Sequence, residues 1–209
     1  PGAEQKIETL RTGLKKFPNV LVAFSGGKDS FFLLKHCVET LGKENVAAVF
    51  VMTRFITRND KKRVKYFREL LDFHLETLEI DLSTEKKIMK NPKDRCYHCK
   101  KKIFSLLKEK ALEKGIDVVV DGTTYSDLDE YRPGLQAIEE LTIVSPMLDA
   151  RITSPEIVEY LRDEICIEAF YLTSSTCTAT RFPYDMDLTE ELLDVFGEVE
   201  SYFVEHGIY

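Results

Sequence analysis

The stretch Val20-Leu21-Val22-Ala23-Phe24-Ser25-Gly26-Gly27-Lys28-Asp29-Ser30 decides how the rest of the chain is read. Its first five residues form a valine-rich apolar run, the pattern of a strand buried on both faces. The run stops at Ser25-Gly26-Gly27, and Asp29 and Ser30 then open an amphipathic helix carrying Phe31, Leu34, Val38 and Leu41. Strand, glycine turn and helix together present backbone N–H groups at a positive helix end, where phosphate oxygens bind. Adjacent glycines let the backbone approach an anion and accept positive φ. A Walker-type loop needs four residues between its first glycine and Gly-Lys-Ser/Thr, and a dinucleotide fingerprint needs Gly-x-Gly-x-x-Gly; neither spacing is present. The plain alternative is an ordinary glycine turn. The flanking serines and Asp29 argue against that alternative and favour a phosphate-binding loop.

The remaining chain is in proportion to one such unit. Its 209 residues suit a single α/β domain over 1–209, with 182–209 a short acidic helical segment, and a hydrophobic fraction of 44% is enough for a full core. No apolar run approaches the ~20 residues that cross a bilayer, and no signal peptide precedes the first helix. The expectation is a soluble, cytoplasmic protein with no membrane partner. A net charge of −7 disfavours a broad nucleic-acid surface. The charge is uneven: Lys86 to Lys102 holds eight Lys/Arg against Asp94 alone, whereas 182–209 has eight Asp/Glu and no Lys or Arg.

Along the chain, Gln5–Lys16 reads as an outer helix and Asn45–Met52 as a second buried strand. Asp60 is placed to cap a helix whose Val64, Phe67, Leu70 and Leu71 face inward. Leu75–Ile80 reads as a partly exposed strand, and a basic segment follows that stops at Asn91-Pro92. Cys96–Lys114 is a long helix ending at Gly115, and Asp117–Asp121 a valine-rich strand closed by Gly122. A polar loop, Thr123–Gly134, leads to a short helix over Leu135–Glu140 and a final strand over Thr142–Val144. Thr153-Ser154-Pro155-Glu156 has capping-box spacing at a helix start, and the last helix begins near Asp187 or Thr189. Strands alternating with helices imply an α/β fold with a parallel sheet covered by helices on both faces.

Five cysteines in this setting favour metal or redox chemistry over a disulfide framework. Arg95-Cys96-Tyr97-His98-Cys99-Lys100 is a Cys-x-x-Cys in basic surroundings, which favour the thiolate. Cys177 lies in Thr173–Arg181, a Thr/Ser-rich stretch without periodicity, read as a loop near the sheet's carboxyl end. Three thiolates suit zinc, or a [4Fe-4S] cluster with one iron open. Cys37 and Cys166 fall in patterned segments and read as inert core. His98 reads as a bystander between the two cysteines, and His36, His74 and His206 belong to no constellation.

Asn91-Pro92-x-x-Arg95-Cys96-Tyr97-x-Cys99-Lys100, Asp121-Gly122-Thr123, Asp127-Leu128-x-x-Tyr131-Arg132-Pro133-Gly134, Ser145-Pro146-Met147-Leu148 and Cys177-x-Ala179-x-Arg181-Phe182-Pro183-Tyr184 follow one another in order. With Ser25–Ser30, which resembles the pyrophosphate loop (PP-loop) of the ATP pyrophosphatases, they resemble the LarE-type ATP-dependent sulfur transferases over about Val20 to Tyr184. The resemblance implies the adenine nucleotide alpha hydrolase-like fold of those enzymes. It also implies adenylylation of a pyridinium mononucleotide carboxylate and replacement of oxygen by sulfur, toward a nickel-pincer cofactor. Some members sacrifice the sulfur of the cysteine matching Cys177. Others add the Cys-x-x-Cys and look built to hold a cluster. On that match Cys96, Cys99 and Cys177 are metal ligands, and the open iron carries an extra sulfide to the activated substrate. Two departures stand out: the family's Gly-Thr-Asn is Gly122-Thr123-Thr124 here, and its Lys-Pro falls at Leu172-Thr173.

The resulting expectations assign Ser25, Gly26, Gly27, Asp29 and Ser30 to the ATP phosphates, with Mg²⁺ bridging them. Ala23, Phe24 and Gly122 lie at strand ends where adenine and ribose would sit, or are simply core and turn. Lys28 is given no catalytic role and is read as pointing away from the loop into surface contacts. Arg132 and Arg181 are candidates for a substrate phosphate or carboxylate, each with an ordinary ion pair as its alternative. Asp127 either positions substrate or Mg²⁺ or caps a turn. The expected partners are a small phosphorylated carboxylate and a sulfide or sulfur donor, without nucleic acid; a homo-oligomer is left open. Three competing readings are tRNA thiolation, a non-catalytic nucleotide sensor with structural zinc, and ATP-dependent amidation without sulfur.

Overall fold

A computed structural model describes residues 2–129, 131–173 and 176–206 of the chain. The elements in order are α1 (Ala3–Leu14), β1 (Val20–Phe24), α2 (Lys28–Leu41), β2 (Val46–Met52), α3 (Arg58–Leu71) and β3 (Leu75–Glu79), followed by α4 (Lys86–Met89), α5 (Arg95–Glu113), β4 (Val119–Asp121) and α6 (Gly134–Glu140). They end with α7 (Pro146–Asp149), α8 (Ser154–Asp163), α9 (Ala169–Leu172) and α10 (Glu190–Glu205). The four strands form one parallel sheet in the order β3-β2-β1-β4.

Alternation along the two central strands explains their unbroken hydrophobicity. Val20, Val22 and Phe24 of β1 share a core with Val46, Ala48 and Phe50 of β2, and with Phe31, Phe67, Ile157 and Leu161 from α2, α3 and α8. Leu21 and Ala23, with Ala47, Val49 and Val51, face the opposite way onto Phe104, Leu107 and Ala111 of α5 and Ile138 of α6. Helices therefore cover both faces, as parallel sheets require. A third cluster, Phe55, Ile80, Leu82, Ile88, Ala179, Leu188 and Leu193, extends the core beyond β2 and β3 and packs against Cys99 and Cys177.

Several local readings differ from the structure. Thr57, not Asp60, caps α3. The Thr57 hydroxyl accepts from the Asp60 N–H at 3.1 Å, and the Asp60 carboxylate accepts from the Thr57 N–H at 3.0 Å. Asp60 is the returning half of a capping box. Thr142–Val144 is not a strand, because Thr142 turns left-handed at φ 53° and Val144 alone bridges, in parallel, to Val120. Cys166 is exposed: it is left-handed at φ 59° beyond the end of α8, between the inward-packing Ile165 and Ile167. Cys37 is fully buried, and desolvation pushes its thiol up. The Thr173–Arg181 stretch contains a 3₁₀ turn at Thr178–Arg181; Ser174 and Ser175 of that stretch and Glu130 of the polar loop lie outside the described residues. Among the described residues no helix is long and apolar enough to cross a membrane.

Candidate functional site

Chain order places the site. From β1 the sheet runs outward through β2 to β3, and then β4 docks on the other side of β1. The reversal opens a crevice at the carboxyl ends of β1 and β4, where sheets of this kind bind ligands. Ser25–Gly27 leaves β1 at that crevice and Gly122 leaves β4.

The loop is drawn closed on itself. The Ser30 hydroxyl accepts from the Ser25 N–H at 3.3 Å and the Ser25 hydroxyl at 3.1 Å, and donates to the Gly27 carbonyl at 2.9 Å. Gly26 is left-handed at φ 82°, and a Cβ there would lie 2.4 Å from Val64 Cγ2 of α3. Gly122 abuts the first turn of α2 so closely that a Cβ would lie 3.0 Å from the Ser30 N and Cα. Gly122 thus has a packing reason for being glycine. Ala23 is half-buried and Phe24 fully buried in the sheet core.

Lys28 departs from its sequence reading. It is 4% exposed, and its ammonium bridges the Asp29 carboxylate at 2.9 Å and the Ser154 hydroxyl at 2.7 Å. The α8 N-terminus is in turn tied to the 3₁₀ turn Tyr125–Asp129, because the Ser154 N–H donates to Ser126 Oγ at 3.1 Å. Burial raises the Asp29 carboxyl above the usual range, Lys28 pulls it back, and the nearby charge of Asp127 raises it further. Asp127 itself accepts from the Thr124 N–H at 2.7 Å and pairs with Arg132 at 2.8 Å. Its capping role and the ordinary ion pair of Arg132 are both observed. At the end of β4, the buried Asp121 accepts from the Thr123 and Ser145 hydroxyls, each at 2.6 Å.

The second part of the site contains sulfur. Cys96 and Cys99 lie three apart in the first turns of α5, which puts them on one face. Thr178 donates its N–H to the Phe55 carbonyl at 3.1 Å, so the Cys177 segment is pinned just beyond the carboxyl end of β2. Arg95, 5% exposed, joins the two: one guanidinium nitrogen reaches Cys96 Sγ at 3.7 Å and Cys177 Sγ at 4.0 Å, and the other donates to the Ala179 carbonyl at 3.2 Å and to Asn91 Oδ1. Asn91 is completely buried, left-handed at φ 51°, and its amide donates to the Pro183 carbonyl at 2.7 Å. Neither Arg95 nor Asn91 was assigned a role from the sequence, although both stand in the motif that surrounds the cysteines.

Burial pushes the Cys99 thiol up to about 12, reinforced by the neighbouring Cys177 and Cys96 sulfurs and opposed by Arg95. Cys177 is raised for the same first reason, with Arg95 opposing. The three sulfurs thus share one electrostatic neighbourhood. Among the described residues, however, no group of three or more His, Cys, Asp or Glu side chains forms a ready-made site for a metal ion. His98 pairs with Asp94 at 3.2 Å. Arg181 faces Glu200 at 3.9 Å; burial raises that carboxyl, Arg181 lowers it and Asp60 raises it. The basic block is broken up, since Lys101 pairs with Glu140 and Lys102 with Glu85 while Arg95 is buried.

Comparison with known proteins adds the chemistry that relatives carry. The family model of NAD synthase matches residues 4–115. An uncharacterised protein of Methanocaldococcus jannaschii is 34% identical over 204 residues, covering 95% of this chain and 75% of that protein. One of Synechocystis is 29% identical over 204 residues, covering 98% and 75%. The pyridinium-3,5-bisthiocarboxylic acid mononucleotide synthase of Lactiplantibacillus plantarum is 31% identical over 202 residues, covering 97% of this chain and 73% of that enzyme.

Proposed function

The chain belongs to the LarE-type family of PP-loop ATP-dependent sulfurtransferases, and on that premise we propose that it adenylylates a carboxylate of a pyridinium mononucleotide, releases pyrophosphate and replaces a carboxylate oxygen with sulfur. The observation that carries the proposal is the meeting of Cys96 and Cys177 on the Arg95 guanidinium, with Cys99 beside them, at the same carboxyl edge of the sheet as the Ser25–Ser30 loop.

Backbone N–H groups of Ser25–Ser30 and the two serine hydroxyls hold the β and γ phosphates after the loop's internal bonds exchange for ligand oxygens. Prearranged donors stabilise pyrophosphate as its charge develops. Mg²⁺ binds mainly substrate oxygens and needs only one or two carboxylates, so Asp29 and Asp127, which feel each other's charge, suffice. Lys28 holds Asp29 in place and moderates its burial. Ala23, Phe24 and Gly122 line the nucleoside end, while Asp127, Arg132 and Arg181 are the substrate-side groups. Each would trade its present partner for substrate.

The donor set fits a cluster in chemical kind: three half-buried thiols in a shared neighbourhood. Cys96, Cys99 and Cys177 would hold a [4Fe-4S] cluster, whose chemistry there is delivery of sulfur to the activated carbon. Arg95 keeps Cys96 and Cys177 together and offsets negative charge.

Anaerobic purification followed by iron, sulfide and zinc analysis tests the proposal, together with pyrophosphate release on adding MgATP and a pyridine carboxylate nucleotide. Iron and acid-labile sulfide are expected, both lost in Cys96→Ala, Cys99→Ala and Cys177→Ala. Zinc without sulfide, and no pyrophosphate, would overturn the reading.

A further inference from the structure

On the first two turns of α3 lie two buried polar atoms without partners: Nε of Arg63 and Oδ1 of Asn59. They are four residues apart and so lie on one side of the helix. Buried polar groups are nearly always satisfied, so a pair left open asks for an explanation. Arg63 is 4% exposed. Its Nη1 faces the Asp60 carboxylate at 3.3 Å, its Nη2 donates to Thr173 Oγ1 at 2.7 Å, and its guanidinium lies over the Phe170 ring at 5.1 Å from the centroid. Asp60 is already committed to capping, since its other oxygen accepts from the Thr57 N–H and hydroxyl. The ion pair with Asp60 therefore engages Nη1 alone and leaves the Nε donor of Arg63 open.

The position is as informative as the chemistry. The same turn of α3 meets the nucleotide loop, because a Cβ on Gly26 would lie 3.4 Å from the Asp60 carbonyl and 2.4 Å from Val64. The Thr173 end of the guanidinium meets the segment that reaches Cys177 four residues later. Arg63 thus stands between the loop for ATP and the sulfur-bearing segment. Its unused Nε and its Nη2 form the side of a guanidinium that takes two oxygens of a carboxylate or phosphate at once. The Thr173 hydroxyl occupies half of that edge, and it donates onward to the Phe170 carbonyl at 2.8 Å.

We propose that the Nε–Nη2 edge of Arg63 is a binding subsite for a two-oxygen anionic group of the substrate, a phosphate monoester or a second carboxylate, which displaces the Thr173 hydroxyl on binding. An anion anchored there orients the rest of the substrate between the adenylylating loop and Cys177. The subsite rests on the proposed function for its substrate class, yet it is measurable without turnover.

Isothermal titration with inorganic phosphate, and separately with nicotinate, tests it while a non-hydrolysable MgATP analogue saturates the nucleotide loop. The wild type is expected to bind at least one probe. Arg63→Met should weaken that probe about tenfold to a hundredfold, the loss expected for a charge-assisted pair of hydrogen bonds. Arg63→Lys, which keeps the charge without the fork, should fall between. Thr173→Val, which frees Nη2, should tighten binding; a residue that only braced the segment would give the opposite sign. Affinity for the MgATP analogue should be unchanged throughout. A phosphate-only effect identifies a phosphate subsite, and a nicotinate-only effect a carboxylate subsite. Equal binding by wild type and Arg63→Met, no binding of either probe, or weaker binding in Thr173→Val overturns the proposal. Arg63-dependent binding in a protein that releases no pyrophosphate would leave the subsite standing and remove the reaction instead.

Discussion

Gly26 and Gly27 are neighbours with different jobs. Gly26 is left-handed and pressed against Val64, whereas Gly27 has an ordinary backbone and only the Ser25 hydroxyl within 3.6 Å of where a Cβ would be. A side chain at 26 therefore costs about 1–2 kcal/mol for the backbone conformation alone, before the clash is counted. Gly26→Ala is expected to lower the denaturation midpoint and abolish ATP binding together. Gly27→Ala should leave the midpoint near wild type and weaken ATP by obstructing the phosphates. Paired urea melts and nucleotide titrations check the separation, and equal destabilisation by the two would contradict it. The same scale shows what the sequence could not display. Lys28 is occupied by Ser154, which is 126 positions away, and no local pattern reveals such a partner. Asp60 and Thr57 are both good capping residues, and the choice between them depends on where the backbone turns.

At the scale of elements, the Asn91–Arg95 pair fastens α5 to the segment that carries Cys177. Asn91 donates to the Pro183 carbonyl, its own carbonyl accepts from the Asp185 N–H at 3.0 Å, and the Met89 carbonyl accepts from the Leu188 N–H at 2.7 Å. Asn91→Ala is expected to cost about 1–3 kcal/mol, because it leaves the buried Arg95 guanidinium without its Asn91 acceptor. Amide exchange should rise over 177–188 and stay unchanged in β1 and β2; uniform acceleration across the chain would refute this. The long periodic elements were legible from the sequence: β1, α2, β2, α5 and the capping box of α8 lie where apolar spacing and capping residues put them. The short ones were not. Four-residue helices such as α7 and α9 are too brief to show a period, and a left-handed Thr142 leaves only Val144 of Thr142–Val144 to bridge to β4. The three ligand candidates were recognisable as residue types, but the guanidinium that joins Cys96 to Cys177 is visible only when α5 meets the 3₁₀ turn.

For the whole molecule, one titrating group is built into the main core. His36 is fully buried beside Phe32 and Tyr160, neither ring nitrogen has a hydrogen-bond partner, and Glu39 lies 3.6 Å from Nδ1. Desolvation, aided by Lys35 and Arg11 and opposed by Glu39, lowers its pKa to about 4. The unfolded chain, near the ordinary 6.5, takes up the proton first. The contribution is therefore complete above about pH 6.5 and is lost as pH falls toward 4. Roughly 2 kcal/mol should disappear between about pH 7 and pH 5. Urea melts across that range should show the loss in the wild type and a smaller one in His36→Phe, which keeps the ring; identical slopes would refute it. The α/β architecture itself followed from alternating strands and helices, but the position of β4 beside β1, which makes the crevice, depends on pairing between residues a hundred positions apart.

That long reach has a consequence during synthesis. The four strands are complete once β4 has left the ribosome, whereas Ser154, which holds Lys28, follows about thirty residues later and the grip of Asn91 on Pro183 about sixty. A chain that has reached only β4 therefore carries Cys96 and Cys99 without the segment that brings Cys177 onto the Arg95 guanidinium.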